Sequence, residues 1–180
     1  MNDLFLTIGL MSGTSCDGID AALIASDGAS HVQSIAQYHV PYNEAVRQRL
    51  LACLNCDCDP EGRIAAVERE LTEQHADAVR QLLANSSYAA EDIDMIGFHG
   101  HTIFHAPEKR QTWQIGDGAL LAALTGIDVI NDFRGHDVEN GGQGAPLLPA
   151  YHRALVKSAG LALPVAIQNI GGVGNVTYIG

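Results

Sequence analysis

The chain has 180 residues, is 47% hydrophobic and carries a formal net charge of −11. That length suits one domain, or one domain plus a piece of another, and the apolar fraction is enough for a packed core. With only two lysines, Lys109 and Lys157, no basic stripe is available to displace counterions from phosphates or to grip anionic lipid, which excludes nucleic acid and membrane as partners.

The first forty residues read as strands. Leu4–Leu10 is apolar and β-prone, and Ile19–Ala25 is a second apolar run. The stretch between them belongs to GLMSGTSCDGID, Gly9 to Asp20, and can close a hairpin-like turn. His31–Val40 gives a third strand. NEAVRQRLLACL then reads as a helix, with Val46, Leu50 and Leu54 at i, i+4 and i+8. Asp59-Pro60 reads as an N-cap followed by proline at the first position of a long helix, whose apolar stripe is Ile64, Val67, Leu71, Ala78 and Leu82.

NSSYAAED breaks that pattern. Asp94–Phe98 is predicted as a short strand running into HGHT, Thr112–Ile115 as another strand, and Gly118–Thr125 as a helix. Ile127–Ile130 is a short strand leading into NDFRGHD. Gly141–Pro146 must be a loop at that glycine density. Leu148–Ser158 reads as a helix, Pro164–Ile170 as a strand, GGVG as a turn and Asn175–Ile179 as the returning strand. A two-stranded sheet is marginal alone. The expected organisation is therefore a domain over residues 1–163 and the start of a truncated second one over 164–180.

No segment approaches the roughly 20 apolar residues of a membrane helix. The N-terminus MNDLFLTIGLM lacks a basic region and a cleavage site, so it does not read as a secretory signal. Cys53, Cys56 and Cys58 crowd together and Cys16 stands apart, a pattern of reduced thiols in a cytoplasmic protein. The crowded three have no partnering cluster nearby that would make them a metal site.

Two stretches combine glycine with side-chain oxygens. In GLMSGTSCDGID, converging backbone N–H groups and the hydroxyls of Ser12, Thr14 and Ser15 can hold an anion, and Asp17 can hold a Mg²⁺ that bridges phosphate oxygens. An ordinary hairpin turn accounts for the same residues. The Walker pattern is absent, so this is not a P-loop. QNIGGVGNVT, Gln168 to Thr177, is a second such turn, and the pair can grip one phosphate tail from two sides.

INDFRGHDVENGGQGAP gathers Asp132, Asp137 and Glu139 between a strand and a glycine loop. A carboxylate there can act as general base if it reaches the group being activated, and Arg134 can hold a carboxylate or phosphate through its planar fork. Acidic residues are otherwise solvated, and Arg134 can simply pair with a neighbour. HGHTIFH carries His99, His101 and His105. His-x-His on a strand puts two rings on one face, a zinc-compatible spacing, although no third or fourth ligand is set by it.

GLMSGTSCDGIDAAL, GFHGHTIFH, TWQIGDGALLA, INDFRGHDVENGGQGAPLLPAYH and QNIGGVGNVT, in that order, resemble the anhydro-N-acetylmuramic acid kinases of the sugar kinase/Hsp70/actin superfamily. The resemblance implies an α/β, ribonuclease-H-like (actin-like ATPase) fold with a mixed central sheet flanked by helices, and a nucleotide cleft between two domains. It implies ATP and Mg²⁺ as cofactors, an amino sugar as substrate, peptidoglycan recycling as the setting, and a homodimer in the full-length protein. The family's F-R-x-x-D pattern falls on Phe133, Arg134 and Asp137, which makes Asp137 the base. By the same resemblance His99, Gly100, Thr102 and Arg134 line the sugar. Gly9, Ser12, Gly13, Thr14, Ser15, Asp17, Gly171, Gly172 and Asn175 hold the ATP phosphates, and Asp17 holds the metal. The superfamily often leads each phosphate loop with an acidic residue, whereas the second loop here begins with Asn169. Family members extend well beyond residue 180, so this span is expected to be inactive alone. The alternatives are a non-catalytic sugar-binding fragment, half of a two-chain kinase, or a zinc hydrolase built on the histidines.

Overall fold

The computed structural model describes residues 4–170 and 174–180. A six-stranded mixed sheet forms its centre. β1 (Phe5–Ser12) pairs antiparallel with β2 (Gly18–Ser26), and β2 with β3 (Val32–Pro41). On its other side β1 runs parallel to β4 (Met95–Ala106). β4 then pairs antiparallel with β5 (Gln111–Ile115) and, through Ile96 and Gly97, parallel with β6 (Val129–Ile130). The order is β3-β2-β1-β4-β5, the mixed sheet of an actin-like ATPase fold. β7 (Val165–Asn169) and β8 (Asn175–Ile179) form a separate antiparallel pair.

Alternation explains β1. Ile8, Leu10 and Ser12 face the interior while Gly9 and Met11 face out. This extends the first strand past the expected Leu10, so Gly9 to Ser12 are strand and only residues 13–17 turn. The strand predicted over Asp94–Phe98 is likewise longer. HGHT lies inside β4, because Ser12 and residues of β5 supply register partners for its polar positions.

The crossover from β3 to β4 is helical. α1 (Glu44–Cys53) starts where the Asn43 side chain accepts the Val46 N–H at 2.9 Å. α2 (Arg63–Ala84) buries Ile64, Val67, Leu71, Ala78 and Leu82, the stripe read from the sequence. Its start differs from expectation: Asp59 and Pro60 lie in a preceding turn, and Gly62 takes the cap position. Asp59 still serves the helix, since its carboxylate accepts the Ala65 N–H at 3.0 Å. α3 (Gly118–Thr125) is capped by Asp117, whose carboxylate accepts the Leu120 N–H. A short α4 (Gly135–Glu139), absent from the sequence reading, follows β6, and α5 (Pro149–Ser158) leads to β7. Ser158 ties α5 to the sheet by accepting the Val32 N–H at 3.0 Å.

The core lies between the sheet and α1 to α3, with Ile8, Leu23, Leu50, Leu71, Ile96 and Leu121 at or below 1% exposure. Each such side chain contributes about 1.5–3 kcal/mol by leaving water. His75 sits among them, fully buried, with its ring 4.9 Å from that of Phe98. Its Nδ1 donates to the Leu71 carbonyl at 2.8 Å, and its Nε2 has no partner among the described residues.

Burial pushes the His75 pKa down to about 4 from 6.5. The unfolded chain therefore binds a proton that the folded chain refuses between those values. Stability from this group is whole above pH 6.5 and falls as the pH drops towards about 4. His75→Leu should lose less stability on acidification, by about 2 kcal/mol between about pH 7 and about pH 4.5, as read from urea unfolding.

Candidate active site

The first turn is built by short local bonds. The Cys16 N–H donates to the Gly13 carbonyl at 2.9 Å, and Cys16 itself adopts a left-handed φ of 52°. Thr14 and Ser15 stand exposed. Ser15 Oγ donates to Asp17 Oδ1 at 2.8 Å, and this bond holds the Asp17 carboxyl below its ordinary pKa. Asp17 is thus an exposed, ionised, oxygen-only donor. Mg²⁺ takes one or two carboxylates plus phosphate oxygens and water, so Asp17 fits as its single protein ligand. Among the described residues no group of three or more His, Cys, Asp or Glu gathers as a metal cluster.

Ser12 is placed differently from its exposed neighbours. It is 1% exposed, and its hydroxyl is engaged with Tyr42 Oη at 2.7 Å and His101 Nδ1 at 2.8 Å. Its side-chain oxygen is therefore already engaged within the fold. Gly9 lies four residues before the turn on the outer face of β1, in register with Gly97 of β4.

The histidine segment departs from a regular strand. Gly100 has φ +71°, and β4 shifts register there: Leu10 faces Phe98, but Ser12 faces His101. The extra residue breaks the alternation that would have put both rings on one face. His101 turns into the core, fully buried. His99 is half-buried. Its Nδ1 donates to the Gly100 carbonyl at 3.0 Å and its Nε2 accepts from Arg134 Nε at 2.9 Å. Burial, with help from the Arg134 charge, lowers the His99 pKa and keeps the ring neutral. Thr102 is on the same strand, half-buried, and accepts from Gln114 Nε2 at 3.2 Å. His105 pairs with Thr112 at 2.9 Å.

Arg134 and Asp137 hold one glycine between them. Arg134 Nη1 donates to the Gly144 carbonyl, while the Gly144 N–H donates to Asp137 Oδ2 at 2.7 Å. The Gly142 N–H also donates to the Asp137 main-chain carbonyl at 2.8 Å. Gly144 has φ +62°, and a Cβ there would lie 2.7 Å from Val138 Cγ2, so the position requires glycine. Asp137 is exposed, and its Oδ1 takes no hydrogen bond from the described residues. Asp132 has a supporting place: its carboxylate accepts the Gly135 N–H at 2.9 Å and starts α4.

The hydrogen bonds thus bring together His99, Gly100, Arg134 and Asp137, and separately Ser12 with the first turn. Gly171 and Gly172 lie outside the described residues, and Asn175 opens β8 opposite Asn169. A hollow of about 270 Å³ lies beside α4, lined by Asp57, Phe104, Arg110, Trp113 and Glu139; of the three candidate carboxylates Glu139 lines it, and Asp132 and Asp137 do not. Sequence reasoning missed Tyr42, Gly142 and Gly144 as site-forming residues. Tyr42 gave no signal, since only the folded chain brings it to Ser12. The two glycines signal a loop in the sequence and form the clamp on Asp137 only in the fold.

The family described as anhydro-N-acetylmuramic acid kinase matches residues 5–180. A protein of that name from Rhizorhabdus wittichii is 54% identical over 180 residues, covering 97% of this chain and 49% of the relative. The one from Paramagnetospirillum magneticum is 53% identical over 174 residues, covering 97% and 47%. The one from Brucella canis is 46% identical over 188 residues, covering 100% and 50%. The chain spans about half the length of the curated relatives it matches. With the match reaching from the first strand to the last residue, this chain belongs to the anhydro-N-acetylmuramic acid kinase family.

Proposed function

We propose that this chain is part of an ATP-dependent kinase that converts 1,6-anhydro-N-acetylmuramic acid to N-acetylmuramic acid 6-phosphate. The observation that carries the reading is the family match over residues 5–180. Asp137 takes a proton from a water that attacks the anomeric carbon of the sugar. The C1–O6 bond of the anhydro bridge breaks, and O6 receives the γ-phosphoryl group as ADP leaves. A free carboxylate oxygen is what a general base needs, and among the described residues none bonds Asp137 Oδ1 while the Gly144 amide fixes Oδ2.

His99, Gly100, Thr102 and Arg134 line the sugar. Gly13, Thr14 and Ser15 meet the phosphates, with Gly9 and Ser12 in the strand that carries the turn and Gly171, Gly172 and Asn175 contributing from the second turn. Mg²⁺, held by Asp17, offsets phosphate charge when bound. Catalysis of this kind is positioning plus electrostatics. Cell-wall recycling in the cytoplasm, and a homodimer in the full-length protein, belong to the same proposal. Among the described residues no helix is long and apolar enough to cross a membrane. We assign the adenosine contacts to the part of the relatives that this sequence does not cover, and turnover to the longer protein.

The test supplies ATP, Mg²⁺ and the anhydro sugar to the chain extended to its relatives' length and follows phosphosugar formation. Asp137→Asn should lower kcat by about 10²–10⁴-fold. Undiminished turnover removes Asp137 from the base role, and sugar binding without any phosphosugar favours a non-catalytic module. The clamp gives a second measurement. A Cβ at Gly142 would land on the Asp137 carboxyl group, so Gly142→Ala should displace the base and lower kcat by up to about 10²-fold.

A further inference from the structure

We propose that a buried hydrogen-bond chain, Tyr42–Ser12–His101–Cys16, fixes the shape of the 13–17 turn for a polyphosphate, with His101 as its positioning residue. The inference rests on the phosphate reading of that turn and adds to it the residues that hold the turn in place.

Four contacts make the chain. Tyr42 Oη lies 2.7 Å from Ser12 Oγ, and Ser12 Oγ lies 2.8 Å from His101 Nδ1. His101 Nε2 lies 3.6 Å from Cys16 Sγ, and Cys16 Sγ lies 3.7 Å from the Thr14 carbonyl oxygen. Ser12, Cys16 and His101 are at or below 1% exposure and Tyr42 is at 8%. Buried polar groups are costly unless paired, so each proton needs an acceptor.

The last contact sets every direction. A carbonyl oxygen only accepts, so the Cys16 thiol spends its one proton on Thr14. The sulfur must then accept from His101, which places the imidazole proton on Nε2. A neutral ring with Nε2–H has a bare Nδ1, so Ser12 donates to it. Ser12 has no second proton, so Tyr42 donates to Ser12. Every donor is used once. The surroundings favour the neutral forms this requires: burial lowers the His101 pKa to about 4 and raises those of Cys16 and Tyr42.

The chain brackets the turn. Tyr42 grips both of its ends, its hydroxyl on Ser12 and its N–H on the Asp17 carbonyl at 3.0 Å. Cys16 reaches the middle through Thr14 O and holds a left-handed conformation that non-glycine residues adopt at a cost. Cys16 is the final donor of the chain. The exposed Thr14, Ser15 and Asp17 are left presented on a turn whose inner side is locked.

The test uses the chain extended to its relatives' length. Ring ¹⁵N shifts of His101 should show a protonated Nε2 and a bare Nδ1; the opposite tautomer or an imidazolium overturns the proposal. His101→Asn keeps an acceptor for Ser12 and loses the donor to Cys16. It should raise KM for ATP and the alkylation rate of Cys16 by about fivefold each, with kcat nearly unchanged, whereas His101→Gln, whose amide reaches further, should recover most of the loss. Tyr42→Phe removes one hydroxyl and keeps the ring, so it carries the kinetic arm should the histidine variants fail to fold. An unchanged KM in the folded variants overturns the proposal. If the unmodified protein uses no ATP, the phosphate reading fails by itself, and the tautomer and alkylation arms still decide whether the chain holds the turn.

Discussion

One left-handed glycine in the middle of a strand organises this site. At Gly100, β4 inserts one residue against β1, and a Cβ there would run into the Ile115 carbonyl of β5. A regular strand would have sent the side chains of residues 99 and 101 to one face. The bulge gives them different partners. His99 starts a path through Arg134 and Gly144 to Asp137. His101 joins a path from Tyr42 through Ser12 to Cys16 and the first turn. The carboxylate and the turn are therefore referenced to the same two residues of backbone.

Charge is scarce in both paths. The two histidines are kept neutral by burial, and Arg134, itself half-buried, spends Nε on His99 and Nη1 on Gly144. A chain of net charge −11 also repels a free polyphosphate. The turn itself presents backbone amides, the exposed hydroxyls of Thr14 and Ser15 and the Asp17 carboxylate, with no lysine or arginine among residues 13–17.

Local signals were legible in the sequence wherever they act locally. α3 begins at Gly118 and ends at Thr125 as expected, because Asp117 caps one end and Gly126 the other. The stripe of α2 was legible because its period is its own, yet its start was not, since an intervening turn carries Asp59 away from the cap position while leaving its carboxylate within reach of Ala65. β1 and β4 run longer than their apolar patterns for a different reason. Ser12, His99 and His101 look like the polar ends of strands. They continue as strand because residues 30 to 89 positions away satisfy them, and nothing in a one-dimensional pattern announces Tyr42 beside Ser12.

The GGQG segment makes the same point about glycine. Its density marks a loop in the sequence, and flexibility is the usual inference. In the fold the reason is closeness. Gly142 has no room for a Cβ beside the Asp137 carboxyl group, and Gly144 has none beside Val138. The loop can therefore lie against α4 and offer an N–H to Asp137 and a carbonyl to Arg134 from one residue. Holding a carboxylate by an amide instead of by a cation has a chemical consequence. A guanidinium on both oxygens would stabilise the anion and weaken it as a proton acceptor. A single neutral N–H orients the group and leaves the second oxygen without a partner among the described residues.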